Sequence, residues 1–290
     1  WKKHVEAETN GKFKIKIYYG DQLGGKKQNL DNIKAGVFEA SKVCWAYHAG
    51  KNKAMTVLNL PFLPIKNFDM QRKVAQTIHE HPVAAGEIKK KWNVFAFSSS
   101  NLPQYEFLGR GKPPQKLEDY KGMTVRALGG MAGAMRALGA SIATMTATEV
   151  YQAIDRGAAD AVSFPSTYAH SAYKIDEVAT WFTSNMSPGT NDCPNIISLT
   201  AWGKLPEQYK KLMYQAREKG YAALKAAYSA KDKVNLPKWR KKLTEIKYSD
   251  AELARFQAVG GKPVYDKWVA KHKGEFDAQG LLDTVLAAAK

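Results

Sequence analysis

Two spacings of hydrophobic residues follow one another along this chain. In the stretch FKIKIYY (residues 13–19), apolar residues alternate with lysines, which predicts a β-strand with one buried face. Over residues 204–230 the apolar residues instead recur every three to four positions, which predicts a long amphipathic helix. Because strand and helix patterns alternate along the chain, we predict an α/β fold with largely parallel sheets.

Capping and glycine signals place the ends of further elements. Thr146 and Glu149 form a capping-box pair at the start of a helix that ends at Gly157, and the strand AADAVSF follows it. Ser249 and Glu252 cap a further predicted helix. The other predicted elements are a strand over residues 37–47 and helices over residues 1–9, 26–35, 131–138 and 276–290.

A short similarity links the two halves of this pattern. The stretches IKAGVFEA (residues 33–40) and IDRGAADA (residues 154–161) both read Ile-x-x-Gly-x-x-acid-Ala where a helix gives way to a strand. Together with the shared order of elements, this predicts two lobes of related architecture. The helix over residues 204–230 is long enough to cross between them.

The charge balance changes this picture little. Lysine and arginine number 44 and aspartate and glutamate 27, for a net charge of +17 on 290 residues. Only eight of the 44 are arginines, and the lysines are spread along the chain. Nucleic-acid-binding modules instead concentrate charge on one face with aromatic stacking partners, so we expect no nucleic-acid partner. A basic surface of this kind can steer anionic ligands toward the protein.

The cysteines and histidines offer little chemistry. Cys44 and Cys193 allow one disulfide, but nothing in the sequence brings them together, and we expect two free, partly buried thiols. His79 and His81 flank Glu80 at a helix end, a poor tetrahedral set, so we expect a solvated loop, no metal site and no cofactor. The chain also lacks the P-loop, Gly-x-Ser-x-Gly and Cys-x-x-Cys motifs. We therefore predict that it is not an enzyme, with a two-lobed enzyme acting on carboxylates as the alternative.

One charged residue stands inside a predicted buried strand. In KGMTVRALGG (residues 121–130), apolar residues and glycines bracket Arg126, whose guanidinium cannot lose its charge. Composition alone favours a structural pair with a carboxylate such as Glu149 or Asp160. The alternative is a bidentate clamp for a ligand carboxylate in a cleft between lobes.

Several longer segments carry a family resemblance. The chain resembles the periplasmic solute-binding components of tripartite ATP-independent periplasmic (TRAP) transporters, the DctP family. The matching segments are EAETNGKFKIKIYYGDQLGG, NIKAGVFEA, LNLPFL, LEDYKGMTVRALGG, ALGASIATMTATEVYQAIDRGAADAV and LPEQYKKL.

The resemblance implies a two-lobed, periplasmic-binding-protein-like α/β fold with a ligand cleft between the lobes and a long helix spanning both. We expect lobe I to comprise residues 1–102 and 195–233, and lobe II residues 103–194 and 234–290. Members normally begin with one further strand, which this sequence does not include.

The resemblance also suggests ligand contacts. In that family the arginine of the KG-x-x-x-R strand binds the ligand carboxylate, and Arg126 matches it. Asn191 and Phe164 fall where sialic-acid-binding members place contacting asparagines, and Cys44 with Trp45 falls where they have a glutamate. Asn191 can equally be a simple turn residue. The aromatic candidates are Trp45, Tyr47, Phe62 and Phe164. For each of them, core packing is the alternative interpretation.

A second arginine of those members is missing here. Tyr105 and Glu106 occupy its region, and Arg110 is a loop candidate only. Because buried polar groups must be paired, a site with fewer of them disfavours polyhydroxylated ligands. We therefore expect a smaller or more apolar organic acid.

The resemblance implies an extracytoplasmic binding protein that delivers its ligand to the TRAP membrane permease. We expect a periplasmic monomer, with any signal peptide removed or left out of the sequence. A sensing domain that never meets a permease is the related alternative.

Overall fold

Nine strands form two separate sheets in a computed structural model that describes residues 1–290. The smaller sheet has the order β1-β8-β2 and the larger has the order β5-β4-β6-β3-β7-β9. The strands are β1 (Ala40–Lys42), β2 (Val94–Ser98), β3 (Tyr105–Gly109), β4 (Thr124–Arg126), β5 (Ser141–Ala143), β6 (Ala161–Pro165), β7 (Trp181–Thr183), β8 (Asn195–Ser198) and β9 (Thr244–Ile246).

The strand directions correct the expectation of largely parallel sheets. In the larger sheet β4 runs parallel to β5 and β6, and β7 parallel to β9, but β3 is antiparallel to both of its neighbours. The smaller sheet is antiparallel throughout. Both β3 and β8 follow segments that cross from one sheet to the other, rather than helical crossovers, and such connections do not impose parallel pairing.

Thirteen α-helices surround the two sheets. They are α1 (Lys2–Glu8), α2 (Asn29–Lys34), α3 (Phe68–Glu80), α4 (Pro82–Trp92), α5 (Gly129–Ala137), α6 (Val150–Asp155), α7 (Tyr168–Ala172), α8 (Ile175–Val178), α9 (Leu199–Gly203), α10 (Glu207–Lys242), α11 (Asp250–Gly260), α12 (Lys262–His272) and α13 (Ala278–Ala288). The helix predicted over residues 204–230 is α10, which continues through Pro237 to a length of 36 residues. None of the helices combines the length with the apolar composition that crossing a membrane requires.

Both predicted capping pairs are confirmed. Glu149 accepts hydrogen bonds from the backbone and side chain of Thr146 at the 3₁₀ turn that leads into α6. The Ser249 hydroxyl accepts from the Glu252 N–H at the start of α11. These local signals depend on residues three positions apart, so tertiary packing does not override them.

The predicted strand over residues 13–19 is not formed. Phe13 and Ile15 pack beside the small core of Val5, Phe97 and Met213, but no strand pairs with this segment. The predicted strand over residues 37–47 forms a regular strand only at β1, with two further backbone hydrogen bonds from Val43 and Trp45, and the 3₁₀ helix Trp45–His48 begins at its end. Alternation therefore identified Phe13 and Ile15 as packed side chains, but Ile17 is exposed. It also cannot report hydrogen bonding, which requires a neighbouring strand.

Each sheet belongs to a lobe with its own core. The lobe I core packs Trp45, Ile78 and Val94 with Leu281 and Val285 of α13. The lobe II core divides between the two faces of the larger sheet. Helices α12 and α13 thus pack on lobe I, because the apolar face of α13 fits against α3. The boundary expected from the sequence had instead assigned residues 234–290 to lobe II.

Candidate functional site

Arg126 lies at the end of β4, inside the larger sheet, with its side chain 1% exposed. Its Nε and Nη2 both donate to the Met145 carbonyl, at 3.3 and 3.0 Å, and Nη1 donates to the Ser163 carbonyl at 3.0 Å. Nη2 also donates to the Tyr47 hydroxyl at 3.2 Å. Rigid backbone carbonyls on both sides therefore fix the plane of the guanidinium.

None of the groups that hold Arg126 carries a negative charge. The two carboxylates expected as structural partners are engaged elsewhere, since Glu149 caps Thr146 and Asp160 accepts from the Thr124 N–H at 2.7 Å. No ion pair in the chain includes Arg126. A buried cation without a counter-charge is costly, so this environment favours an anion beside the guanidinium.

Aromatic rings form the wall next to the guanidinium. The Arg126 guanidinium carbon lies 4.7 Å from the centroid of the Phe164 ring, within cation–π range. Phe164 in turn stacks on Tyr173, with centroids 5.3 Å apart. This wall offers apolar and π surface but no hydrogen-bond donor from Phe164.

Tyr105 and Asn191 form a polar group close to this wall. Both are buried, and neither the nitrogen nor the oxygen of the Asn191 amide has a hydrogen-bond partner. Asn191 also borders Gly129, where an added Cβ would come within 3.0 Å of its Oδ1. Burial raises the pKa of the Tyr105 hydroxyl well above its usual value, which keeps it neutral and able to donate. The structure thus brings Arg126, Tyr47, Phe164, Tyr105 and Asn191 to one region.

Two other candidates are held inside the protein. The Glu106 carboxylate accepts four hydrogen bonds. One comes from Thr183 at the end of β7, and the loop that follows supplies two from Ser187 and one from Met186. Burial raises the pKa of Glu106, and these hydrogen bonds oppose that rise. Trp45 lies in the lobe I core with its Nε1 donating to Asp192. Both residues therefore have structural contacts that leave no free polar atom.

Phe62 and Arg110 lie in different surroundings. The Phe62 ring meets Phe256 edge-on at 4.9 Å and borders an outer groove with Ala254 and Tyr265. Arg110 is exposed, and its Nη1 donates to the Asp155 carbonyl. Arg110 is therefore a surface residue, and Arg126 has no second arginine beside it.

The prediction of free thiols is wrong, because Cys44 and Cys193 form a disulfide. The β1–β8 register pairs Lys42 with Asn195, and extending it by two residues sets Cys44 opposite Cys193. The backbone confirms that the ladder continues, since the Val43 N–H donates to Pro194 and the Trp45 N–H to Asp192. The two cysteines are distant in sequence, so only the strand pairing reveals their contact.

The expectation of a solvated loop is also wrong for His79. Its side chain is buried in α3, and Nε2 lies 2.6 Å from Asp192 Oδ2. Asp192 additionally accepts from Trp45 Nε1 and from the Ser99 hydroxyl. Asp192, which follows Asn191 in the sequence, is thus hydrogen-bonded to three other parts of lobe I.

Sequence reasoning missed the backbone groups that shape the site. The carbonyls of Met145 and Ser163 hold Arg126, and the Ala147 N–H donates to the Tyr47 hydroxyl at 3.2 Å. Every residue supplies such groups, so residue identity carries no signal for them. Tyr173 was also missed, and only its position opposite the β6 side chain Phe164 reveals it.

Comparison with known proteins identifies similar chains. The family model described as bacterial extracellular solute-binding protein, family 7, matches residues 1–272. The monocarboxylate 2-oxoacid-binding periplasmic protein of Nostoc sp. is 27% identical over 233 residues, covering 79% of this chain and 62% of that protein. This chain thus spans less than two thirds of that relative's length.

Solved structures share the fold at low sequence identity. A TRAP periplasmic solute-binding protein from Desulfovibrio salexigens with bound orotic acid superposes with a TM-score of 0.86 at 20% identity, covering 99% of this chain and 91% of that one. A marine metagenome TRAP solute-binding protein specific for aromatic acid ligands, in complex with metahydroxyphenylacetate, gives a TM-score of 0.78 at 22% identity. It covers 100% and 91% of the two chains.

Proposed function

Because this chain belongs to family 7 of the bacterial extracellular solute-binding proteins, we propose that it captures an organic acid whose carboxylate pairs with Arg126. It would then deliver the acid to the membrane permease of a TRAP transporter. The observation that carries the proposal is the buried guanidinium of Arg126, held by neutral acceptors alone. A carboxylate supplies the missing charge and accepts a charge-assisted hydrogen bond from the guanidinium.

The contacts of the guanidinium leave one of its hydrogens for such a pair. Nη1 carries two hydrogens and donates only to the Ser163 carbonyl, so one N–H remains for a ligand. Ligand binding between the lobes shifts their equilibrium toward closure, as in other hinge-bending receptors.

The surroundings of Arg126 favour a monocarboxylate with an aliphatic or aromatic body. Phe164 and Tyr173 supply apolar surface, whereas Asn191 and Tyr105 supply polar groups for one further ligand oxygen. The similarity to the 2-oxoacid-binding protein of Nostoc sp. supports this class. A 2-oxo acid carries its keto oxygen on the carbon next to the carboxylate. A site with one cation and few additional polar groups can therefore bind both.

Isothermal titration calorimetry of Arg126 variants tests the role of this residue. We expect Arg126→Ala to weaken binding of a mono-acid by about 3 kcal/mol, since the carboxylate is left buried and unpaired. Arg126→Lys should not restore affinity, because the three donors of an ammonium cannot replace the four hydrogen bonds to Met145, Ser163 and Tyr47 and also reach the ligand. Arg110→Ala, which removes an exposed arginine, is the matched control and should bind as the unaltered protein does. Near-normal affinity of Arg126→Ala would disprove the proposed pairing.

The acid for that titration comes from a thermal-shift comparison. We expect pyruvate, 4-methyl-2-oxopentanoate or 3-hydroxybenzoate to raise the melting temperature more than galacturonate or sialic acid, since bound ligand stabilises the folded state by mass action. The largest shift with a polyhydroxylated acid would contradict the proposed ligand class while leaving the role of Arg126 open to the titration.

A further inference from the structure

Tyr47 joins the two lobes beside Arg126. It lies in the 3₁₀ helix Trp45–His48, which follows β1 and packs with the lobe I core through Trp45. Its hydroxyl oxygen accepts from Arg126 Nη2 and from the Ala147 N–H, each at 3.2 Å. Both donors belong to lobe II, so a single phenol oxygen links β4 and the turn before α6 to lobe I.

Both donors need this acceptor. The Ala147 N–H is at the first position of a short 3₁₀ helix, where the helix itself supplies no acceptor. The second hydrogen of Arg126 Nη2 goes to the Met145 carbonyl, so the Tyr47 hydroxyl completes the hydrogen bonding of this nitrogen. When the lobes separate, both donors lose the phenol oxygen and must bind water instead.

We propose that Tyr47 is a latch that stabilises the closed arrangement of the lobes and positions Arg126 for its ligand. The inference of ligand coupling rests on the proposed function, whereas the latch itself does not. Tyr47 and a ligand carboxylate do not compete, since the phenol uses Nη2 and Ala147 while one N–H of Nη1 stays available. Tyr47 thus adds to affinity by slowing reopening.

The ligand-free test measures amide hydrogen exchange at Ala147. In the unaltered protein this N–H is hydrogen-bonded to Tyr47, and exchange requires that bond to open. Tyr47→Phe keeps the ring and removes only the oxygen, so we expect the protection of the Ala147 amide to fall about tenfold or more. Tyr214→Phe, at an exposed tyrosine of α10, is the matched control and should leave this protection unchanged. Equal protection in the Tyr47→Phe and unaltered proteins would overturn the latch.

The ligand test follows 4-methyl-2-oxopentanoate by stopped-flow tryptophan fluorescence. We expect Tyr47→Phe to raise Kd about tenfold, almost entirely through a faster dissociation rate, with the association rate within about twofold of the unaltered protein. Tyr214→Phe should change neither rate. Unchanged or tighter binding by Tyr47→Phe, or a loss confined to association, would overturn the coupling of this latch to the ligand. Circular dichroism and thermal unfolding of both variants establish that they fold.

The two proposals fail in different ways. If Arg126→Ala binds acids normally, the proposed function fails, and the amide-exchange result still decides whether Tyr47 latches the lobes. If the Tyr47→Phe variant keeps both amide protection and affinity while Arg126→Ala loses binding, the latch fails and the proposed function stands.

Discussion

At the scale of single residues, the environment of a charge matters more than its presence in a strand. Arg126 is buried among carbonyls, a hydroxyl and an aromatic ring, so its charge is oriented but not neutralised. A structural arginine in such a position normally has a carboxylate within ion-pair distance. That difference, visible only in the tertiary structure, supports the proposed pairing of Arg126 with a ligand carboxylate.

A buried histidine predicts how stability depends on pH. His48 is 2% exposed with neither ring nitrogen hydrogen-bonded, and burial, with the nearby Lys51 charge, lowers its pKa to about 4. Because the unfolded chain binds this proton near pH 6.5, the unfolded state holds more protons between those values. The stabilisation is therefore complete above pH 6.5 and is lost as the pH falls toward 4.

We expect the free energy of unfolding to fall by roughly 2 kcal/mol between pH 7 and pH 5 through His48 alone. Urea titrations at the two pH values measure it. His48→Leu removes the titrating group and should lessen this fall, whereas His170, whose burial also lowers its pKa, continues to contribute. An identical pH dependence in the unaltered and His48→Leu proteins would contradict the assignment.

At the scale of elements, the β1–β8 ladder organises the lobe I side of the site. Cys44 and Cys193 sit on opposite strands just beyond the paired residues, with Tyr47 following one cysteine and Asn191 preceding the other. Asp192 then ties the same ladder to Trp45 and to α3. A short antiparallel pair thus positions residues that come from distant parts of the chain.

The disulfide should contribute strongly to stability, because it joins residues 149 positions apart. Closing so long a loop removes much conformational freedom from the unfolded chain, for which the chain-entropy model gives about 5 kcal/mol. We expect Cys44→Ala/Cys193→Ala to lower the free energy of unfolding by that amount, and therefore to lower the urea midpoint. Dithiothreitol should destabilise the unaltered protein similarly and leave the double variant unaffected. An unchanged urea midpoint in the double variant would show that the bond contributes little.

At the scale of the whole molecule, two lobes share one basic surface. The net charge of +17 comes from lysines spread over both lobes and along α10, and most ion pairs are exposed. Such pairs contribute little to stability, since water and salt screen them. The excess charge acts at longer range, on the approach of anionic ligands.

The association rate of a mono-acid should therefore depend on salt. We expect it to fall several-fold between 20 and 500 mM NaCl. Over this interval the Debye length falls from on the order of 20 Å to a few Å, so the attraction acts over a shorter distance. The dissociation rate should stay nearly constant, because the bound carboxylate is shielded from solvent. Stopped-flow measurements across this range separate the two rates. An association rate that is independent of salt would show that the basic surface has no steering role.

The sequence by itself determined the features that depend on nearby residues. The capping pairs at Thr146 and Ser249, the glycine that ends α6 and the periodicity of α10 were all readable, since each involves positions within a few residues. The family resemblance extended this to the two-lobed fold, and it made Arg126 the leading site candidate because its motif is a contiguous stretch.

The tertiary structure decided what depends on distant residues meeting. The pairing of Cys44 with Cys193, the contact of His79 with Asp192 and the bridge from Tyr47 to Arg126 each join residues at least 79 positions apart. The absence of a partner for residues 13–19 belongs here too, since alternation cannot report whether a neighbouring strand exists. Local chemistry fixes a residue's possible roles, and the contacts made on folding select one of them.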